Sequence, residues 1–91
     1  MIKIDYSLEV EQAIKNNDPV VALESTIITH GMPWPENLNT AKDVEAIVRD
    51  NGATPATIAI INGIIKVGLE DETLEKLSTR RDTRKLSRAD L

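Results

Sequence analysis

Apolar residues recur at two different spacings along the chain, and the spacing distinguishes helices from strands. Positions three and four apart predict a helix over Ser7–Asn16, with Ser7 as its N-cap, and a longer helix over Leu38–Asp50. Asn51-Gly52 is a typical stop for the longer helix. A third, short helix is predicted over Asp71–Leu77, because acids begin this segment and Lys76 lies near its end, as the helix dipole favours.

Continuous apolar runs predict the strands. Val20–Leu23 and Pro55–Ile61 each follow a breaker, and such runs indicate strands buried on both faces, as in a parallel sheet under helices. Asn62-Gly63 is a hairpin signal that predicts a return strand over Ile64–Val67, and Thr83–Leu86 is predicted to begin another strand. The order of these elements predicts an α/β fold of the three-layer α/β/α kind, here an incomplete amino-terminal portion with a small sheet and helices.

The composition limits the class of protein. A chain of 91 residues forms one domain at most, and without phenylalanine its core must come from Ile, Val, Leu and Ala. The absence of cysteine excludes disulfides, thiolate chemistry and zinc sites of the cysteine type, and the single His30 cannot build a multi-histidine metal site. No apolar run is long enough to cross a bilayer, and Met1–Asp5 is no secretory signal, so a cytoplasmic protein without a membrane partner is expected.

The charge pattern has one local exception. The formal net charge is −4 with acids and bases mixed, which argues against a nucleic-acid partner. Near the carboxyl end of the chain, basic residues form a local group. The charge pattern slightly favours the interpretation that this group is a solvated helix end or loop, and the alternative is an anion site, with phosphate as the usual ligand. This basic group consists of Arg80, Arg81, Arg84, Lys85 and Arg88.

Two charged residues at predicted strand ends are the candidates for chemistry. Glu24 follows an apolar strand, where an α/β sheet presents groups to a ligand crevice, so loss of water would favour its protonated form and general acid catalysis. An ionised structural glutamate is the commoner alternative. Lys85 can hold a phosphate or sugar hydroxyl, or it is an exposed solubilising lysine. His30 is expected to order its loop, and Trp34 to close the edge of the core rather than stack on a ring.

Three blocks of the chain resemble the pseudouridine-5′-phosphate glycosidase family. The first is PVVALESTIITHGMPWPENL, from Pro19 to Leu38, and the second is NGATPATIAIINGIIKVGL, from Asn51 to Leu69. The third is RKLSRADL, from Arg84 to Leu91. Because the blocks stand in that family's order and spacing over nearly the whole chain, the chain is identified as similar to the family's amino-terminal segment.

The resemblance implies an activity. Members of that family reversibly cleave the carbon–carbon glycosidic bond of pseudouridine 5′-phosphate to uracil and ribose 5-phosphate. They use a divalent cation, usually manganese, and assemble as homotrimers with an α/β/α fold. Their nucleophilic lysine forms an imine-type adduct with the opened ribose, an electron sink for the cleavage. The family's proton-donating glutamate falls on Glu24 here, and a substrate-contacting lysine falls on Lys85.

The chain also departs from the family pattern. Leu86 stands where the family has Val, and Ala89 replaces the second Arg of its motif, which removes a hydrogen-bond donor. The family's metal-binding aspartate and nucleophilic lysine have no counterpart here, so residues 1–91 are expected to be a truncated part of the glycosidase domain, without a metal ligand and inactive alone. The alternative is a non-catalytic module that binds a sugar phosphate or a complementary chain.

Overall fold

The computed structural model describes residues 2–26, 28 and 31–79, which form a small sheet with helices. The α/β class, the three predicted helices and three of the predicted strands are confirmed, and the strand predicted over Thr83–Leu86 lies outside the described residues. None of the described helices is long and apolar enough to cross a membrane. The strands are β1 (Lys3–Tyr6), β2 (Val20–Glu24), β3 (Thr54–Ile61) and β4 (Ile64–Val67), and the helices are α1 (Leu8–Lys15), α2 (Glu36–Asp50) and α3 (Asp71–Thr79).

The four strands form one mixed sheet in the order β1-β4-β3-β2. β1 runs parallel to β4 and β2 runs parallel to β3, whereas β3 and β4 are antiparallel neighbours. The predicted hairpin joins β3 to β4, and its turn residues Asn62 and Gly63 have φ angles of 52° and 77°, the left-handed values that a type I′ turn requires. β3 and β4 are therefore the centre of the described sheet, and β1 and β2 are its edges.

A core of aliphatic side chains joins the central strand β3 to α2 and α3. Burial of such side chains is the main favourable contribution to folding, about 25 cal/mol for each Å² of apolar surface removed from water. One face of β3 is therefore held by both helices. The buried members of this core are Ile28, Leu38, Ala59, Leu74 and Leu77.

Two hydrogen bonds fix the start of α1. Ser7 Oγ accepts from the backbone N–H of Val10 at 3.2 Å, as the predicted N-cap should, and Glu70 Oε2 accepts from the backbone N–H of Leu8 at 3.0 Å. Gly68 lies against this cap with a φ of 86°, and a β carbon there would come within 2.6 Å of Val10 Cγ2. This position requires glycine for both its backbone angle and the close approach.

The two edge strands differ from the sequence-based expectations. The prediction that β2 is buried on both faces is wrong: four of its five residues are exposed, and Leu23 is half-buried. The reason is position, because within the described residues β2 has a neighbour, β3, on one side alone. β3 comes closer to that prediction, since its residues 55–57 are buried. β1 was not predicted, although apolar and polar residues alternate from Ile2 to Tyr6.

Candidate active site

Glu24 is the last residue of β2 and lies at the carboxyl end of that strand, opposite Ile58 of β3. Its side chain is exposed, and the hydroxyl of Thr26 donates a hydrogen bond to Glu24 Oε1. The loss of water expected at this position is not provided by the described residues, because an edge strand leaves the carboxylate open to solvent. The arrangement supplies a carboxylate at a strand end with a hydroxyl that orients it, which suits proton transfer to or from a bound molecule.

A cavity of about 230 Å³ lies beside Glu24 and is lined by residues of β2, β3 and α2. The polar residues of its lining are Glu24, Thr40 and Thr57, while Ala41 and Val44 are part of its aliphatic wall. Ligand pockets usually enclose roughly 300–1,000 Å³. The cavity therefore fits part of a small molecule, such as one ring, with Glu24 at its margin.

A buried carboxylate lies behind this cavity. Glu45 of α2 is 4% exposed, and its Oε2 accepts a hydrogen bond of 2.6 Å from the hydroxyl of Thr57. Arg49 lies 3.5 Å from the other oxygen of Glu45 and binds both carboxylate oxygens of Glu9 at 2.9 Å. The Thr57 proton is thus committed to Glu45, so the Thr57 hydroxyl is not available as a donor to a molecule in the cavity.

The ion pair between Glu9 and Arg49 ties α1 to the end of α2. The hydrogen bond from the Arg49 guanidinium lowers the pKa of the Glu9 carboxyl, and the same hydrogen bond raises the pKa of Arg49. Both side chains are nearly half exposed, so water screens the pair and its contribution to stability is modest. Its structural effect is to hold the last turn of α2 against α1, and Glu45, one turn earlier in α2, reaches Thr57.

The turn that follows Glu24 is held by backbone and side-chain hydrogen bonds. The backbone N–H of Ile28 donates to the carbonyl of Ser25 at 3.0 Å. Asn37, at the start of α2, is 2% exposed, and its Nδ2 donates to the carbonyls of Ile28 and Ser78, each at 2.7 Å. Sequence reasoning missed Asn37, and its one signal was an amide in the first turn of an otherwise amphipathic helix.

The other candidate residues have different outcomes. Lys85, the rest of the basic group at residues 80–88 and His30 lie outside the described residues. Trp34 is 57% exposed, so the expectation that it closes the edge of the core is wrong. Within the described ranges, no group of three or more His, Asp or Glu side chains could hold a metal ion. The manganese ion stays an expectation from the resemblance, which places its aspartate ligand outside residues 1–91.

The chain matches a family model and several curated proteins. The model described as indigoidine synthase A-like protein matches residues 9–91. A pseudouridine-5′-phosphate glycosidase of Staphylococcus aureus is 64% identical over 88 residues, which cover 97% of this chain and 29% of the relative. The glycosidase of Geobacillus kaustophilus is 62% identical over 86 residues, with 94% and 29% covered. The chain thus spans under a third of the length of these relatives.

Two solved structures share the fold. An indigoidine synthase A-like protein from Thermotoga maritima superimposes with a TM-score of 0.69 at 30% identity, covering 85% of this chain and 24% of that one. The prealnumycin C-glycosynthase AlnA, solved in complex with ribulose 5-phosphate, superimposes with a TM-score of 0.71 at 38% identity, covering 88% and 25%. Both similarities concern a minor part of a larger protein.

Proposed function

The chain belongs to the family of indigoidine synthase A-like proteins, and on this premise we propose that it forms the proton-donating part of a pseudouridine-5′-phosphate glycosidase. The observation that carries the proposal is the Glu24 carboxylate at the carboxyl end of β2, beside a cavity that fits one ring. The identity of 64% to the Staphylococcus aureus glycosidase supports the choice of substrate class.

The chemistry assigned to Glu24 follows from the bond that is cleaved. When the carbon–carbon bond between ribose and pyrimidine breaks, its electron pair stays on the pyrimidine carbon, and that carbon must gain a proton before uracil can leave. Glu24, in its protonated form, supplies that proton and becomes a carboxylate, and the Thr26 hydroxyl then stabilises it by the hydrogen bond already present. The reverse reaction uses the same carboxylate as a base.

The remaining parts of the activity belong to the proposal by resemblance. Lys85 holds the sugar phosphate, and a lysine beyond this segment forms the imine-type adduct with the opened ribose. Its nitrogen lone pair completes the C=N bond at the ribose carbon as the electron pair of the C–C bond leaves with the pyrimidine. A divalent cation, manganese in the resembling family, and a homotrimeric assembly complete the enzyme.

The test of the proposal is a chimera, called here the completed enzyme. It joins residues 1–91 of this chain to the remaining sequence of the Staphylococcus aureus relative, in place of the matched segment. With manganese present, the completed enzyme should release uracil from pseudouridine 5′-phosphate. Chromatography measures the uracil. The isolated 91-residue chain should release none above background, because it lacks the family's nucleophile. A folded chimera without turnover would refute the proposed function.

Lys85 provides a second arm of the same test. A cation that holds substrate contributes to binding and positioning. Lys85→Ala in the completed enzyme should therefore raise the Michaelis constant, and turnover at saturation should fall less than the ratio kcat/KM. Lys15→Ala is the matched control, because Lys15 lies on α1 and its contact with Glu11 is a long one of 3.9 Å. Equal kinetics of the two variants would remove Lys85 from the substrate site.

A non-catalytic interaction module is the second candidate function, and the exposure of β2 favours it. Val20 and Val21 are 37% and 40% exposed on an edge strand, which is the kind of surface that pairs with another chain. Mixing the isolated chain with the rest of the Staphylococcus aureus polypeptide separates the candidates. Uracil release by the mixture supports the glycosidase, whereas a stable complex without turnover supports the module.

A further inference from the structure

Asn37 connects three parts of the fold through one buried amide. Both hydrogens of its Nδ2 are used, one on the carbonyl of Ile28 and one on the carbonyl of Ser78. Its Oδ1 accepts from the backbone N–H of Leu38 at 2.8 Å. Because the side chain is 2% exposed and its amide hydrogens are both committed, Asn37 is unsuited to binding substrate, and its effect is on the groups it holds.

Two hydrogen bonds lead from this amide to Ser25, the residue that follows Glu24 in the chain. Asn37 holds the carbonyl of Ile28, and the N–H of Ile28 holds the carbonyl of Ser25. Between these two residues lies Thr26, whose hydroxyl donates to the Glu24 carboxylate. The Asn37 anchor is therefore one of the contacts that set the position of Thr26 and, with it, the orientation of the carboxylate.

Asn37 supplies an anchor that β2 does not. The carboxylate is exposed at the end of an edge strand, and β3 contacts that strand on one side. Asn37 instead joins the turn to the start of α2 and to the end of α3, two helices that pack in the buried core. A buried amide with satisfied partners fixes a turn more firmly than exposed contacts do, since breaking it would leave carbonyls buried without a donor.

We propose that Asn37 is a positioning residue for the proton transfer assigned to Glu24. The inference rests on the proposed function for its kinetic consequence, but its geometric content is independent of any activity. Loss of the two N–H donors releases the turn, moves Thr26 and misaligns the carboxylate. Misplacement by about 1 Å can cost roughly a hundredfold in rate.

The geometric part is tested on the 91-residue chain by nuclear magnetic resonance. Asn37→Asp keeps the shape and removes both donors, so it should shift the side-chain resonances of Glu24 and Thr26 and speed amide exchange at Ile28. Asn51→Asp is the matched control, because Asn51 also donates its Nδ2 to a backbone carbonyl at 2.7 Å, at the opposite end of α2. Unchanged resonances at Glu24 and Thr26 in Asn37→Asp would overturn the proposal.

The kinetic part is a double-mutant cycle in the completed enzyme, whose unmodified activity separately tests the proposed function. Asn37→Asp should lower kcat by about ten- to a hundredfold, with a much smaller change in KM, while Asn51→Asp changes kcat by less than about twofold. The second half of the cycle uses the Glu24→Gln enzyme, whose slow reaction is measured as single turnovers at high enzyme concentration. In that enzyme, adding Asn37→Asp should lower the rate by less than about twofold.

The cycle separates positioning from general destabilisation. A merely structural asparagine would cost the same in both backgrounds, and that result would overturn the proposal. If Asn37→Asp fails to fold, Asn37→Ser takes its place, because a hydroxyl can donate to one of the two carbonyls. Asn37→Ser should then lower kcat by less than the roughly ten- to hundredfold expected of Asn37→Asp, and this loss should disappear in the Glu24→Gln background. An unchanged kcat in Asn37→Ser would contradict the proposal.

Discussion

β2 and β3 are similar in apolar character and lie in different environments. Both are mostly apolar runs that follow a turn, and they are parallel neighbours in one sheet. β3 lies between β2 and β4 and carries core and buried residues, whereas β2 is an exposed edge strand that ends in Glu24. The difference shows that an apolar run predicts a strand, but the neighbours of the strand decide what it buries. Here the inner strand supports folding and the edge strand presents the candidate catalytic group.

The largest effect on stability is expected in the core attached to β3. Leu74 is fully buried in that core, so Leu74→Ala should destabilise the chain by about 2–5 kcal/mol through lost apolar burial and a cavity. The matched control is Leu8→Ala, because Leu8 is 60% exposed. Urea unfolding followed by circular dichroism measures both. Equal losses for the two variants would contradict the assigned core.

A smaller effect is expected where β3 meets α2. Thr57→Val keeps the shape of the side chain and removes the donor to the buried Glu45 carboxylate, which should cost about 1–3 kcal/mol. Thr40→Val is the control, since Thr40 lines the same cavity and its hydroxyl donates to an exposed sulfur, Met32 Sδ, at 3.4 Å. The same unfolding experiment applies. A Thr57→Val chain as stable as Thr40→Val would show that the hydrogen bond to Glu45 is not important for folding.

The pH dependence of the Glu9–Arg49 pair should be weaker still. The folded-state pKa of Glu9 is lowered, so the pair stabilises the chain above the unfolded-state pKa and this contribution is lost as the pH falls through the folded-state value. Because Glu9 is 44% exposed, the contribution should be about 0.2–1 kcal/mol. Glu9→Gln should lower the free energy of unfolding at neutral pH, and this effect should shrink at acidic pH as the Glu9 carboxyl of the folded chain becomes protonated. An equal effect at both pH values would contradict the ion-pair explanation.

The smallest effect is expected on the edge strand itself. Val21 is 40% exposed, so Val21→Thr should change the stability of the 91-residue chain by less than about 0.5 kcal/mol. In the completed enzyme the same substitution should cost more if the remaining polypeptide covers β2. Thermal unfolding of both forms sharpens the comparison between the strands. A similar small change in both would indicate that β2 is an exposed edge in the enzyme as well.

Local signals predicted much of the fold. The Asn62-Gly63 turn, the Ser7 cap and the helical spacing of α2 depend on neighbours in sequence, and each of these predictions is confirmed. β1 was missed because its alternating pattern is short, covering only Ile2 to Tyr6, and includes two charges, Lys3 and Asp5. The burial of β2 was predicted wrongly because its partner strands cannot be inferred from its own sequence.

The candidate site was harder to predict than the fold. The position of Glu24 at a strand end followed from the apolar run before it, but its exposure depends on the edge of the sheet. Thr57 lies 12 residues from Glu45, and Ser78 lies 41 residues from Asn37, so nothing near Glu45 or Asn37 in the sequence indicates these two hydrogen bonds. The proton-donor role of Glu24 and the substrate-binding role of Lys85 stay predictions.

Turnover of Glu24→Gln in the completed enzyme tests the central claim most directly. The amide keeps the size of the side chain but cannot deliver a proton, so kcat should fall by about 10²–10⁴-fold while substrate binding is largely kept. Glu11→Gln serves as the control, because Glu11 is 52% exposed on α1, and it should retain normal turnover. If Glu24→Gln instead retained near wild-type kcat, Glu24 would be a structural carboxylate at a strand end, and the assignment of proton donation to this chain would be wrong.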